Sequence, residues 1–563
     1  MRFRVRFSQT IRLAIAVLAL FAGVGAIPAQ DPSRPVAIPL PPMGWSSWNS
    51  FSNTVNSAVV RAQAQAMASN GMKKAGYQYI NIDEGWWLGQ RDEQGNIEVD
   101  PRQWPAIAAG EHAGDMGNIV RYIHGLGLKA GIYTDAGTNG CSTYDPDVGP
   151  GYPYTGSEGH FEQDFTQFAK WGFDYVKVDY CGASEEYRDA ENQYLEISRA
   201  LEIAEAATAH HMFLSICAGR SNPWMWAPNV GGLTTDIWRT GSDIVGPVVA
   251  DNPKSLLKVT CNKNCPRKAS IQRVLRNFDQ GFHPEAQHTG FYNDPDMMVL
   301  GMPGMSDSEN RVHMSLWAMS GAPLIAGADL TTLSAATLAT AENPAVIQID
   351  QDPLGLQAVE VTAPRTGLEV WSKRLATPGE RAVLLLNRTG EAAPISVEWS
   401  DLGLLGSQEA RTKDLWTGKE VAVKTKPISA TVEAGDAVML LVKGEELPMT
   451  SYAAKAASKL GASEFTTAGC VGKAFRFSKV ASRGGIAAVE IVYLNHETTT
   501  RAGELRVNAQ AGTRVAFPPT GADGKAGAVW VEARLDGNGT KNILQITTDC
   551  GAGPEIESVL IQQ

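Results

Sequence analysis

Asp179 and Lys177 stand two residues apart in the run FDYVKVDYC. Alternate residues of a strand share a face, so the carboxylate and the ammonium point the same way and the cation favours the ionised acid. A second acid, Asp243, closes the run WRTGSDI. One carboxylate that attacks an anomeric carbon and one carboxyl that protonates the departing oxygen are the minimum for glycoside hydrolysis with retention. On this reading Asp179 is the nucleophile and Asp243 the acid/base, kept protonated by the ionised carboxylate opposite until attack neutralises it.

Such a pair needs a scaffold that brings strand ends together. Between residue 43 and about 330, β-rich runs alternate with helical stretches: MGWSSW, YQYINID, LKAGIYTD, FDYVKVD, FLSIC, DIWRTG, FYNDPDMM and PLIAG, with helices such as 58–74, 117–124, 161–171 and 193–208 between them. Eight strands over nearly 300 residues predict an α/β fold, a (β/α)8 TIM barrel rather than an open doubly wound sheet. Acidic and aromatic residues stand at or just beyond five of the strand ends: Asp83 and Glu84, Tyr133 and Asp135, Lys177 and Asp179, Arg239 and Asp243, Asp294 and Asp296. In a TIM barrel these ends meet at one mouth. From about 345 the helical pattern gives way to alternating runs such as LEVWSKRL and RAVLLLNR, which predict an antiparallel β-sandwich. The runs AVEIVYLN, ELRVNA, AVWVEARL and NILQITT predict a second, C-terminal β-sandwich. The expected division is 1–29, 30–340, 341–446 and 447–563.

Residues 1–29 read as a signal peptide: a basic opening, an apolar run from Leu13 to about Val24 and small residues ahead of Ala26 or Ala29. Export to a periplasm or the extracellular space is the expectation, with no membrane anchor after cleavage. In that setting the seven cysteines suggest disulfides, and their positions sort into Cys141 with Cys181, Cys261 with Cys265 and Cys470 with Cys550, leaving Cys217. A zinc or redox role for Cys261 and Cys265 is the alternative to a loop staple. The formal charge of −11 argues against nucleic acid as a partner. Ten of the fourteen tryptophans fall between Trp45 and Trp317, and Trp45 and Trp86 are the expected rings for stacking on a sugar. The histidines are scattered and Asp294-Pro-Asp296 has too few oxygen neighbours for a calcium motif, so no metal site is expected. Neither a dinucleotide glycine fingerprint nor a GxSxG elbow is present.

The runs PPMGWSSWNSF, YINIDEGW, LKAGIYTDAGTNGC, FDYVKVDYC, WRTGSDI and YNDPDMMVLGMPGMS, in this order over about 40–445, resemble glycoside hydrolase family 27, the α-galactosidase family. The resemblance implies the same two roles for Asp179 and Asp243. It implies further that Trp45, Asp83, Glu84, Tyr133, Lys177, Cys217, Arg239, Asp296 and Met297 surround the sugar, that Cys141 bonds to Cys181 beside the nucleophile, and that no cofactor takes part. The implied substrate is an oligo- or polysaccharide with terminal α-D-galactosyl residues; the sequence gives no oligomeric state.

Three positions depart from the family pattern. Glu84 replaces a second Asp, and its extra methylene would crowd the galactose hydroxymethyl group, which makes β-L-arabinopyranosides an alternative substrate. Cys217-Ala218-Gly219 lacks a tryptophan usual after the fifth strand, and Gly85 replaces a cysteine, so that disulfide is absent. Hydrolysis of an α-glucan, or a sugar-binding barrel without turnover, are further alternatives. The last domain resembles carbohydrate-binding β-sandwiches of families 35 and 6, with Tyr452, Tyr493 and Trp530 as its only evident sugar platforms and without the acids that hold a structural calcium.

Overall fold

In the computed structural model the described residues are 34–35 and 38–562, apart from 144–154, 182–188, 231–234, 246–267, 285, 287–290, 362–366, 408, 423–426, 460–472, 511, 522–523, 538 and 549–552. The signal-peptide reading and the pairs Cys261–Cys265 and Cys470–Cys550 lie outside them. Each of the eight expected strands is present: β1 (Met43–Ser46), β2 (Tyr79–Asn81), β3 (Lys129–Asp135), β4 (Tyr175–Asp179), β5 (Phe213–Cys217), β6 (Thr235–Arg239), β7 (Tyr292–Asp294) and β8 (Leu324–Ala326). They form one parallel sheet in the order β7-β6-β5-β4-β3-β2-β1-β8. Pro295 has no N–H for the ladder and β7 stops before it. Three residues on, Met298 bridges Ala326, its N–H donating to the Ile325 carbonyl at 2.7 Å, and this closes β7 onto β8. The result is a (β/α)8 barrel.

The outer helices bury one stripe each. In the helix Phe161–Trp171, residues Phe161, Phe165, Phe168 and Ala169 face inward and Gly172 ends the helix at φ 91°. Trp86 packs edge-on to Phe168 and Trp171 with ring centroids 5.9 and 6.1 Å away, and its Nε1 donates to the Tyr133 carbonyl at 3.0 Å. Trp45 is also fully buried, its Nε1 on the Ala328 carbonyl at 2.8 Å. Both rings are barrel core, and the expectation that they present a face to a sugar is corrected: a large aromatic beside a strand end gains more by filling the barrel wall.

The helical part ends later than the sequence pattern suggested. Pro344–Asp350 is a helix, with Asn343 as N-cap accepting from the Ala345 and Val346 N–H groups and Pro344 at its first turn. The sandwich begins at Val359–Glu360. Its strands β9 (Leu368–Arg374), β10 (Glu380–Asn387) and β11 (Ala437–Lys443) are antiparallel neighbours. The unbroken apolar run of β10 is covered on both faces: Val383 and Leu385 point into the sandwich core, Ala382, Leu384 and Leu386 into the barrel side.

The C-terminal domain is two stacked five-stranded sheets. One contains β13 (Gly485–Leu494), β16 (Gly527–Leu535) and β18 (Glu555–Gln562); the other contains β12 (Ala474–Ser482), β14 (Arg501–Val507), β15 (Thr513–Phe517) and β17 (Gly539–Thr548). A polar knot joins it to the sandwich. Glu446 accepts from Arg374 at 3.1 Å and Arg381 at 2.8 Å, and Gln562 accepts from Arg374 at 2.7 Å while donating to the Gly403 carbonyl at 2.9 Å. Trp530 lies under the Arg374 guanidinium, 4.8 Å from ring centroid to Cζ. Tyr493 is fully buried with its hydroxyl on the Pro518 carbonyl, and the Tyr452 hydroxyl accepts the Ala481 N–H. The three expected sugar platforms are therefore structural contacts.

Despite burial, the two arginines hold the Glu446 carboxyl down to about 2 from an ordinary 4.5. A carboxyl depressed in the folded state contributes stability that is complete above about pH 4.5 and lost as pH falls toward 2. Glu446→Gln should cost about 1–3 kcal/mol at pH 7 and flatten the acid fall of the melting temperature in that window. Parallel melting profiles for the two chains would contradict this.

Candidate active site

Parallel register sets the site. Asp135, Asp179 and Cys217 form a row across β3, β4 and β5, and Tyr133, Lys177 and Ser215 form the row below it. Asp179 Oδ2 accepts the Tyr133 hydroxyl at 3.2 Å and lies 4.0 Å from the Lys177 ammonium, while Oδ1 accepts the Tyr180 N–H at 3.0 Å. Lys177 is closer to Asp83, at 3.0 Å, and sits over the Tyr133 ring. Asp83 is itself fixed by Ser46, Ser47 and the Glu84 N–H. The ammonium is thus shared, and burial outweighs it: the Asp179 carboxyl is pushed above its ordinary 3.8, chiefly by desolvation, with Lys177 opposing.

On the other side of the mouth, buried Arg239 binds Asp296 at 2.7 Å and Asp243 at 2.9 Å. The Asp243 side chain is 79% exposed and pairs with the Arg239 cation, and its charge also raises the Asp179 carboxyl, so the two acids oppose each other as the sequence led us to expect. The ion pair is local: Arg239 and Asp243 are four residues apart across the bend that follows β6. Asp296 has a left-handed backbone, φ 100°, held by the Ile244 and Met297 N–H groups on its carboxylate and Trp317 Nε1 on its carbonyl. Burial raises the Asp296 carboxyl to about 6. Cys217 is the one free cysteine among the described residues; Arg239 lies 3.8 Å from its sulfur, and burial keeps it a thiol rather than a thiolate.

A cavity at the mouth is lined by Asp83, Lys177, Cys217, Arg239, Asp294, Asp296 and Met297, all singled out in the sequence, and by Ser46, Tyr175 and Ser215, which were not. Asp179, Asp243, Tyr133 and Trp45 are not among its lining residues; Asp179 adjoins it through Lys177 and Asp243 through Arg239. Glu84 does not line it. Its carboxyl is buried and accepts the Ser142 N–H on both oxygens, at 3.0 and 2.9 Å, and the Ser142 hydroxyl at 2.5 Å. Burial raises it to about 8. A Cβ on Gly140 would collide with Glu84 Oε1, and one on Gly85, whose φ is +115°, would come within 2.6 Å of the Asn53 backbone. Gly140 therefore makes room for the longer acid, while the close approach of the Asn53 backbone leaves Gly85 no space for a side chain.

Cys141 and Cys181 are disulfide-bonded beside Asp179, with Cα atoms 5.0 Å apart. Asp135 accepts the Cys181 N–H at 2.9 Å and the Gly137 N–H at 2.7 Å. Asp135, Cys141, Asp179 and Cys181 bring donor atoms within 4.8 Å of one another, but the two sulfurs are bonded together and both Asp135 oxygens already accept N–H groups. The set does not suit a metal.

A cluster of carboxylates and two buried cations at the carboxyl end of a (β/α)8 barrel is the framework of a glycoside hydrolase. More narrowly, the chain belongs to the α-galactosidase A family. The family model described as Alpha galactosidase A matches residues 40–245 and 266–352, that of the Alpha galactosidase C-terminal beta sandwich domain matches 365–442, and that of the Alpha-galactosidase, CBM13 domain matches 474–560. The last description differs from the family 35 and family 6 likeness read from texture. An alpha-galactosidase of Oryza sativa subsp. japonica is 35% identical over 403 residues, covering 71% of this chain and 84% of its own. Alpha-galactosidase A of Cellvibrio japonicus is 38% identical over 363 residues, covering 64% and 79%. The crystal structure of alpha-galactosidase I from Mortierella vinacea superposes with a TM-score of 0.61 at 27% identity, covering 72% of this chain and 98% of that one.

Lys177 lowers the Asp179 carboxyl against the larger effect of burial, so removing the ammonium leaves burial unopposed. Lys177→Met should move the acid limb of kcat/KM to higher pH as well as lowering its maximum. An acid limb that stays in place would show that Asp179 ionisation does not govern it.

Proposed function

We propose that this chain is an exported retaining exo-glycosidase that hydrolyses terminal α-D-galactosyl residues, with Asp179 as nucleophile and Asp243 as acid/base. The observation that carries the reading is the setting of Asp179: a half-buried carboxylate at the barrel mouth, touched by the Tyr133 hydroxyl and the Lys177 ammonium, with the Cys141–Cys181 bond beside it. In the first step an Asp179 oxygen bonds to the anomeric carbon as the bond to the departing oxygen breaks, and Asp243 gives that oxygen its proton. In the second, Asp243 takes a proton from water, the water oxygen bonds to the anomeric carbon, and Asp179 leaves as carboxylate. The Arg239 pair holds Asp243 at the rim and favours its carboxylate, the form that takes a proton from water in the second step.

Asp83, Lys177, Arg239, Asp296 and Met297 supply the polar and apolar wall for a sugar ring. The extra length of Glu84 is taken up toward Ser142 rather than into the cavity, which supports galactose over a pentopyranose. The second reading, β-L-arabinopyranoside hydrolysis, needs Glu84 to leave Ser142. The secretory reading of residues 1–29 is the support for export.

The p-nitrophenyl glycosides of α-D-galactose and β-L-arabinopyranose, compared on the same preparation, should show the galactoside preferred by kcat/KM; preference for the arabinoside would favour the second reading. Asp179→Asn should lose at least about 10³-fold in kcat while melting normally. Activity near wild type in that variant would remove Asp179 from the nucleophile's place.

A further inference from the structure

The two sheets of the C-terminal domain have opposite charge. Strands β13, β16 and β18 carry Glu490, Glu532, Glu555 and Glu557 against Arg534, and the strand Arg34–Pro35 paired with β16 adds Arg34, which leaves acids in excess. The facing sheet of β12, β14, β15 and β17 carries its cations in excess. Residues whose neighbours Phe477, Leu505, Val515, Leu544 and Ile546 fill the domain core alternate with Arg476, Arg506, Arg514, Lys541 and, at the bulge in β12, Lys479. Glu504 is the carboxylate among the outward residues of these four strands. It bonds to Arg506 and stands across from Arg514, which leaves Arg476, Lys479 and Lys541 without a strand neighbour of opposite sign. Lys479, Arg506 and Lys541 are exposed. Arg476 and Arg506 flank Gln545 from the two adjoining strands, so their side chains stand in one line across the sheet.

This polarity runs against the rest of the molecule. Residues 447–563 hold twelve lysines and arginines against ten acids, whereas the whole chain has a net charge of −11. The acidic sheet is the one turned to the sandwich, where Trp530 and Gln562 meet Arg374 and Glu532 is buried near the same arginine. The cationic sheet is turned away from that junction. An outward face that gathers cations on an acidic protein attracts a polyanion.

We propose that the outward face of β12, β14 and β17 docks a polysaccharide bearing carboxylates, a polyuronate, and holds the barrel near galactosyl branches on the same material. The choice of a polysaccharide over other polyanions rests on the reading of the barrel as a glycosidase; the charge of the face does not. Recognition is by ion pairs spaced along the sheet, without an aromatic platform, so it weakens with salt as the Debye length shortens.

The full chain, run in affinity electrophoresis through gels containing polygalacturonate, should be retarded at low salt and much less so at about 0.5 M NaCl, while neutral galactomannan should leave its mobility unchanged through a Lys479→Gln/Lys541→Gln substitution. That double variant should lose at least half of the polygalacturonate retardation, and the Lys479→Arg/Lys541→Arg variant should keep it. Hydrolysis of p-nitrophenyl α-D-galactoside should be the same for all three chains, so failure of the barrel reading shows separately from failure of the docking face. No retardation at low salt, equal retardation of the Gln variant and wild type, or tighter binding to DNA or to phosphatidylglycerol vesicles than to polygalacturonate would overturn the proposal.

Discussion

Two cations hold the barrel mouth together. Lys177 is shared between Asp83 and Asp179, and Arg239 between Asp296 and the exposed Asp243, so each of the four carboxylates has a partner of opposite sign. Burying an unpaired charge is costly enough that a site with four acids close together would otherwise fill with protons or open. The balance is incomplete: burial still lifts Asp179 and Asp296 above the ordinary carboxylate range. A nucleophile held by a shared cation, rather than by one of its own, keeps enough basicity to form a bond and enough support to leave again.

The rest of the structure holds those partners in register. One-residue slips would carry Lys177 or Asp179 to the other face of β4, and the parallel ladders from β3 to β5 fix Asp135, Asp179 and Cys217 in one row. The disulfide behind β4 and the Ser142 clamp on Glu84 pin the loop after β3 against that row. The sandwich adds stiffness from the side, because β10 is apolar on both faces and Trp371 packs edge-on to Phe278 of the helix Ile271–Gln280 and to Phe282 just beyond it, and Arg276 of that helix donates to the Asp243 carbonyl. The C-terminal domain is joined through Arg374, Glu446 and Gln562 rather than by a free linker.

Much of this was legible in the sequence because it follows from local pattern. The eight strands, their order and the acids at their ends come from period-two runs and from the rule that barrel strand ends converge. What escaped depends on contacts between distant residues. Glu84 meets Ser142 fifty-eight positions away, and the glycine that keeps space for it, Gly140, is nearly as distant in the chain. Trp45, Trp86 and Tyr493 looked like sugar platforms because aromatic content alone does not distinguish a ring at a rim from one in a wall. The Pro344 helix was passed over although Asn343-Pro344 is a start signal, since its seven residues are too few to show a period.

The central claim is that Asp179 bonds covalently to the sugar. Incubating the enzyme with a slow fluorinated galactosyl fluoride and mapping the digested protein by mass spectrometry tests it directly. The account predicts one added deoxyfluorogalactosyl group, on the peptide containing Asp179 and on that residue. A label on another carboxylate, or no label together with a first-formed product of inverted anomeric configuration by proton NMR, would contradict it.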